Sequence, residues 1–183
     1  MAEIVDLIEK ELSEDFLSII QAFRCTYKID EHNISTDIED FLKNDAYELQ
    51  QSHMTVTKLF FNSDKQFVGY YTLFNDTVPK IGKDKLKKEH WDLPKSEKFY
   101  PAVRLHYIGV DDKYRDQDIG YTMLMSAIDT CYTISTISGC VFMSVQALKN
   151  SVGFYENYNF IRLSSGKYLQ NMVLKLEDIS DTE

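Results

Sequence analysis

Apolar positions along the chain follow two periods, and the changes from one to the other mark its elements. Residues 3–12 (EIVDLIEKEL) fit both: Ile4, Leu7, Ile8 and Leu12 keep helical spacing, while the β-branched content suits a strand. Ser13 stands where an N-cap would start a helix through Phe16, Leu17, Ile20 and Phe23, whose three-and-four spacing makes one apolar face. Thr36-Asp37-Ile38-Glu39 reads as a capping box ahead of Ile38, Phe41, Leu42 and Leu49, predicting a second amphipathic helix. The period then shortens. Residues 55–61 (TVTKLFF) and 66–74 (QFVGYYTLF) are rich in β-branched and aromatic residues around the turn Asn62-Ser63-Asp64-Lys65, the pattern of a β-hairpin.

Periodicity dissolves between Val78 and Tyr100, where Pro79, Gly82, Pro94 and lysines 80, 83, 85, 87, 88, 95 and 98 predict a surface loop insertion over 79–100 with room for a short helix. Order returns with a strand at 102–110 (AVRLHYIGV). A helix at 120–133 follows, carrying Tyr121, Leu124, Met125, Ile128 and Tyr132, and then an apolar strand at 140–145 (CVFMSV). Strand, helix, strand makes a βαβ unit. A short helix around 152–158 and strands at 160–163 and 172–176 close the pattern.

At 183 residues, 44% hydrophobic and 27% charged, the chain reads as one globular domain spanning 1–183, able to bury a core without disulfides or metals. No apolar run reaches the roughly 18 residues a membrane span needs, and the start MAEIVD carries acids where a secretory signal needs cations, so the expected compartment is the cytoplasm, with no membrane partner. Cysteines 25, 131 and 140 are too widely spaced for a C-x-x-C metal pair, and no metal is expected. Cys25 with His106 as its base is a conceivable nucleophile, but a lone intracellular thiol is more often inert packing. The net charge of −9 repels polyphosphate unless positive charge is locally concentrated, so nucleic acid is an unlikely partner.

Chemistry concentrates between the strand ending at Val110 and the helix starting near Gly120. Free amides at a helix N-terminus, aided by its dipole, bind phosphate, and a glycine lets that backbone approach closely. The residues Val110-x-x-x-x-Arg115-x-x-Asp118-x-Gly120 resemble the V-x-x-x-x-[R/Q]-x-x-G-x-[G/A] acyl-CoA signature of the GNAT N-acetyltransferase superfamily, with Asp118 in place of the first glycine. Downstream, Val145-Gln146-Ala147 and then Ser151-Val152-Gly153-Phe154-Tyr155-Glu156-Asn157-Tyr158-Asn159-Phe160 resemble the family's V-x-A and A-x-x-F-Y-x-x-x-G-F segments, with Ser151 at the usual alanine and Asn159 at the usual glycine.

The resemblance implies an α/β (α+β) fold: a mixed, mostly antiparallel sheet of six to seven strands, splayed between the strands ending at Val110 and Val145 and flanked by about four helices. It implies acetyl-CoA as co-substrate, with the amides of Arg115, Gln117, Asp118, Gly120 and Tyr121 facing its pyrophosphate, Ile108 and Val110 pairing with the pantetheine arm, and Asn150 touching it. Tyr155 stands where the family keeps the acid that protonates the departing thiolate; a core aromatic is the alternative. For the base, the strand offers Arg104, which cannot serve, and His106, whose ordinary pKa suits the task. A histidine satisfied within the sheet, with a water chain or an already neutral amine as base, remains open.

The activity implied is transfer of an acetyl group from acetyl-CoA to a primary amine by direct attack in a ternary complex. The acidic surface suggests a cationic small-molecule or protein acceptor, and the chain is compatible with a homodimer. Phe23-Arg24-Cys25, Ile38 to Lys43 and Phe67 to Leu73 are loosely similar to the GNAT branch containing aminoacyl-tRNA-acetylating toxins. Two alternatives follow: a tRNA-acetylating enzyme using the lysines of 80–98, or a degenerate CoA-binding or interaction module.

Overall fold

The computed structural model describes residues 3–28, 34–94 and 96–176. In chain order the elements are β1 (Ile8–Glu11), α1 (Leu17–Ile20), β2 (Tyr27–Lys28), β3 (Ile34–Ser35), α2 (Asp37–Asn44), α3 (Ala46–Gln51), β4 (Val56–Phe61), β5 (Phe67–Pro79), α4 (Lys83–Lys88), β6 (Phe99–Val110), α5 (Ile119–Ser138), β7 (Phe142–Leu148), α6 (Val152–Glu156), β8 (Ile161–Ser165) and β9 (Leu169–Lys175). Short 3-10 turns precede α1, α5 and α6. Seven strands form one sheet in the order β1-β4-β5-β6-β7-β9-β8, and β2 pairs with β3 apart from it. The α/β class and the mostly antiparallel sheet are those the resemblance implies. Among the described residues there are six α-helices rather than four.

The chain divides into two compact units, Met1–Phe74 with Leu105–Thr130, and Asn75–Arg104 with Cys131–Glu183. In the first, β1 pairs antiparallel with β4 and β4 with β5, confirming the hairpin and resolving residues 8–11 as strand. Its core gathers Leu12, Ile20, Phe23, Phe41, Leu42, Ala46, Leu59, Phe61 and Tyr70. Two glycines permit the closest approaches: a Cβ on Gly69 would lie 2.6 Å from the Gly109 carbonyl oxygen, and one on Gly109 would lie 2.5 Å from Ile38 Cγ2.

Three local expectations are corrected in this unit. The helix after Ser13 ends at Ile20 instead of running through Phe23, because residues 24–26 are held by acidic side chains from elsewhere in the unit. The second helix breaks at Asp45 into α2 and α3. Its capping box does not form: the Thr36 hydroxyl donates to Asp40 (2.6 Å), Ser35 Oγ accepts from the Asp37 amide (3.1 Å), and Glu39 turns inward.

In the second unit β7 pairs antiparallel with β9, and β8 with β9. The lysine-rich stretch is more than a loop. Helix α4 forms within it, and Ile81, Leu86 and Leu93 are buried with Val78, Tyr100, Ala102, Phe142 and Val173. Amphipathic spacing thus tethers the stretch through its apolar residues while Lys83, Lys87 and Lys88 stay exposed. Among the described residues, no helix is long and apolar enough to cross a membrane.

Candidate active site

The turn from β6 to α5 is built almost entirely by the backbone. Asp111 caps a 3-10 turn over Asp112–Tyr114, its Oδ1 accepting from the Lys113 amide at 3.0 Å and its carbonyl from the Tyr114 amide at 2.8 Å. Asp116 and Asp118 then adopt left-handed backbone, with φ of 61° and 55°. Left-handed backbone is one half of the alternation that builds an anion-binding nest. It also explains how an aspartate occupies a glycine position, since short polar side chains tolerate this conformation best after glycine. Downstream of Tyr114, the amides of Arg115, Asp116, Gln117, Asp118, Ile119 and Gly120 donate to no partner among the described residues. They lead into the N-terminus of a 20-residue helix. A phosphate cradle requires such a row of open donors.

The acidic side chains of the turn are directed elsewhere. Asp111 is 4% exposed and accepts from the Arg24 amide, while Asp112 accepts from the amide and hydroxyl of Thr26. The Asp118 carboxylate accepts from the Glu3 amide at 3.2 Å. Arg115 does not pair with Asp118; its guanidinium donates to the Thr26 carbonyl and sits 2.5 Å from Asp112 Oδ1. The turn therefore offers backbone dipoles with three of its four carboxylates engaged by other parts of the chain.

The other residues named from sequence are placed as follows. Ile108 and Val110 are half-buried at the end of β6, and Tyr121 is half-buried in the first turn of α5. His106 has an exposed side chain ringed by Phe41 (5.0 Å), Phe74 (5.2 Å) and Tyr107 (4.3 Å). Phe41 touches both His106 and Tyr107, so the strict alternation of β6 is broken there. All these residues belong to the first unit, whereas Asn150 and Tyr155 belong to the second.

Tyr155, on α6, is 6% exposed, with its ring edge-on to Phe154 (5.2 Å) and Phe160 (5.4 Å). Burial pushes its phenol well above the usual tyrosine range, so it is fully protonated at neutral pH. Asn159 takes up the left-handed conformation, φ 64°, that the family's glycine would supply after this helix. Asn150 is exposed in the 3-10 turn preceding α6. Cys25 does not fit the nucleophile reading: it is buried, and desolvation pushes its thiol up to about 11.

Sequence reasoning missed two groups. One is the carboxylate set Glu39, Asp111 and Asp112 around residues 24–26; the Asp-Asp pair straight after a strand was its only signal. The other, in the second unit, is Asp76 on β5, whose Oδ2 accepts from Arg104 on β6 (2.8 Å) and Ser144 on β7 (3.1 Å). This accounts for Arg104 as a structural cation.

No protein-family model matches the sequence. No curated protein matches it either. Solved structures do. The structure of AtaT complexed with acetyl-methionyl-tRNAfMet superposes with a TM-score of 0.74 at 22% identity, over 93% of this chain and 95% of that one. A tyrosine-to-phenylalanine mutant of KacT gives 0.75 at 18%, over 93% and 95%. AtaTR bound with acetyl-CoA gives 0.72 at 21%, over 93% and 94%. At these identities the likeness is one of fold, and it extends over nearly the whole of both chains.

Proposed function

We propose that this protein is an acetyl-CoA-dependent N-acetyltransferase acting on a primary amine. The row of open amides from Arg115 to Gly120 carries the reading. A diphosphate needs donors that cost no side-chain ordering, and the turn supplies six in sequence beside a helix N-terminus. The two-part signature, and a fold shared with a structure bound with acetyl-CoA, support the same donor.

In this reading the backbone of Ile108 and Val110 pairs with the pantetheine arm, Asn150 contacts the cofactor, and the amides of Arg115, Gln117, Asp118, Gly120 and Tyr121 hold the diphosphate. The amine nitrogen attacks the thioester carbonyl, the C–S bond breaks, and Tyr155 Oη gives its proton to the leaving sulfur. A buried phenol is a weak acid, but the same desolvation raises the proton affinity of a thiolate formed beside it, so the two stay matched. The proton lost by nitrogen goes to His106, whose side chain is exposed, or to water.

A second reading assigns the amine to an aminoacyl-tRNA. Two observations favour it: AtaT has been captured with acetyl-methionyl-tRNAfMet, and α4 exposes Lys83, Lys87 and Lys88 in a chain that is otherwise acidic. A thiol-release assay tests both readings, using polyamines, lysine peptides, aminoglycosides and charged tRNA as acceptors. Turnover with any of them that collapses in Tyr155→Phe is expected, and turnover with charged tRNA alone selects the second reading. Full turnover in Tyr155→Phe overturns the acid assignment.

A further inference from the structure

Three successive backbone amides in the first unit each donate to the carboxylate of a different residue. Arg24 donates to Asp111 Oδ2 at 3.0 Å, Cys25 to Glu39 Oε2 at 3.1 Å, and Thr26 to Asp112 Oδ1 at 3.1 Å. Return contacts lock the arrangement. The Asp112 amide donates to the Arg24 carbonyl at 2.8 Å, the Asp111 amide to the Val68 carbonyl at 2.8 Å, and the Thr26 hydroxyl to Asp112 Oδ2 at 2.8 Å. Arg115 closes the set by bridging Asp112 and the Thr26 carbonyl.

Ion pairs with Arg24, Lys43 and Arg115 offset the charge of Glu39 and Asp112, but they do not dictate that each carboxylate should meet a backbone amide. The core does not require them either, since segment 24–26 contributes only Cys25 to it. What the carboxylates do is fix residues 111–115 from the side. Charge-assisted bonds to backbone N–H are short, strong and directional, so they set backbone position more tightly than apolar packing would. The fixed stretch ends at Arg115, the first residue of the open row.

We infer that Asp111 and Asp112, acting through residues 24–26, are positioning residues for the diphosphate-binding amides of 115–120. The inference rests on the reading that acyl-CoA binds at this turn. They touch no phosphate themselves. Preorganised donors bind tightly because little ordering remains to be done on binding, and loosening the clamp would return that cost.

The test is a calorimetric titration of the full chain with acetyl-CoA. Asp112→Ala is expected to raise Kd at least tenfold, with Asp112→Asn, which keeps one acceptor oxygen for Thr26, recovering part of the loss. Leu59→Ala, a core truncation in the same unit, serves as the stability control and is expected to leave Kd within twofold of wild type. If Asp112→Ala does not fold, Thr26→Val, which removes only the hydroxyl bond, is expected to raise Kd about threefold. An unchanged Kd in the clamp variants, or the same rise in Leu59→Ala, overturns the positioning role while leaving acyl-CoA binding in place. Failure of the wild type to bind acetyl-CoA removes the functional reading and this inference together.

Discussion

Two stretches of this chain could receive phosphate, and they are built on opposite principles. Residues 115–120 offer backbone amides among aspartates, whereas 80–98 offers lysine side chains on a short helix tethered by Ile81, Leu86 and Leu93. The first has fixed dipoles and unfavourable nearby charge; the second has favourable charge and flexible heads. Fixed donors suit one small ligand held in one pose, while mobile cations suit an extended backbone contacted at many points and screened by salt. A formal charge of −9 is therefore a poor guide to phosphate binding here, since the carboxylates of Asp111 and Asp112 are spent inside the fold and the donors carry no formal charge.

The largest effect expected lies outside both stretches. Tyr155→Phe should lower kcat at least about 100-fold with little change in acetyl-CoA KM, because it removes a proton donor and leaves the ring packing intact. Equal kcat in a steady-state assay would remove the acid role. Next, Lys83, Lys87 and Lys88 changed together to Gln should weaken binding of charged tRNA by roughly tenfold and reduce the log–log salt slope by about 0.7–0.9 per cation lost, leaving acetyl-CoA affinity unchanged. Filter binding across a salt series measures this. Loss of acetyl-CoA affinity instead would mean that the lysines serve the donor.

Asp118→Gly sharpens the comparison from the other side. It removes a charge worth about 1 kcal/mol against phosphate at some 4 Å in water, and it relieves a left-handed backbone, so Kd for acetyl-CoA should fall about fivefold by calorimetry. Asp118→Ala keeps the strained backbone and should cost roughly 1–2 kcal/mol of stability in urea unfolding.

The smallest effect is one of pH. Burial pushes the Glu39 carboxyl up, but hydrogen bonds from Lys43 and the Cys25 amide, with the charges of Lys43 and Arg24, pull it below its ordinary value. Its contribution to stability is therefore present above the unfolded carboxyl pKa of about 4.5 and lost as pH falls through the lower folded value. Urea unfolding between pH 6 and pH 3 should show this slope, and Glu39→Gln should flatten it.

Much of the architecture could be read from the sequence because strand and helix periods are local. The hairpin at 55–74, the helix after Gly120 and the strand expected over 140–145, which forms as Phe142–Leu148, were legible from local pattern. What failed to show was tertiary. The helix after Ser13 was cut short by carboxylates up to 87 residues away, and Glu39, which spacing assigned to a capping box, was drawn inward by Arg24, Lys43 and the Cys25 amide. At the site, Val110 to Gly120 and Tyr155 were legible as motifs. The left-handed Asp116, the contact from Glu3 to Asp118 and the clamp on residues 24–26 were not, because each depends on which backbone groups the fold leaves unpaired.

The central claim is that the turn from Arg115 to Gly120 binds the diphosphate of acyl-CoA. Amide shifts of the isotopically labelled protein, titrated with acetyl-CoA, test it most directly. Saturable perturbations concentrated at residues 115–121 are predicted. Binding that leaves these amides unmoved, or no binding at all, would contradict the account.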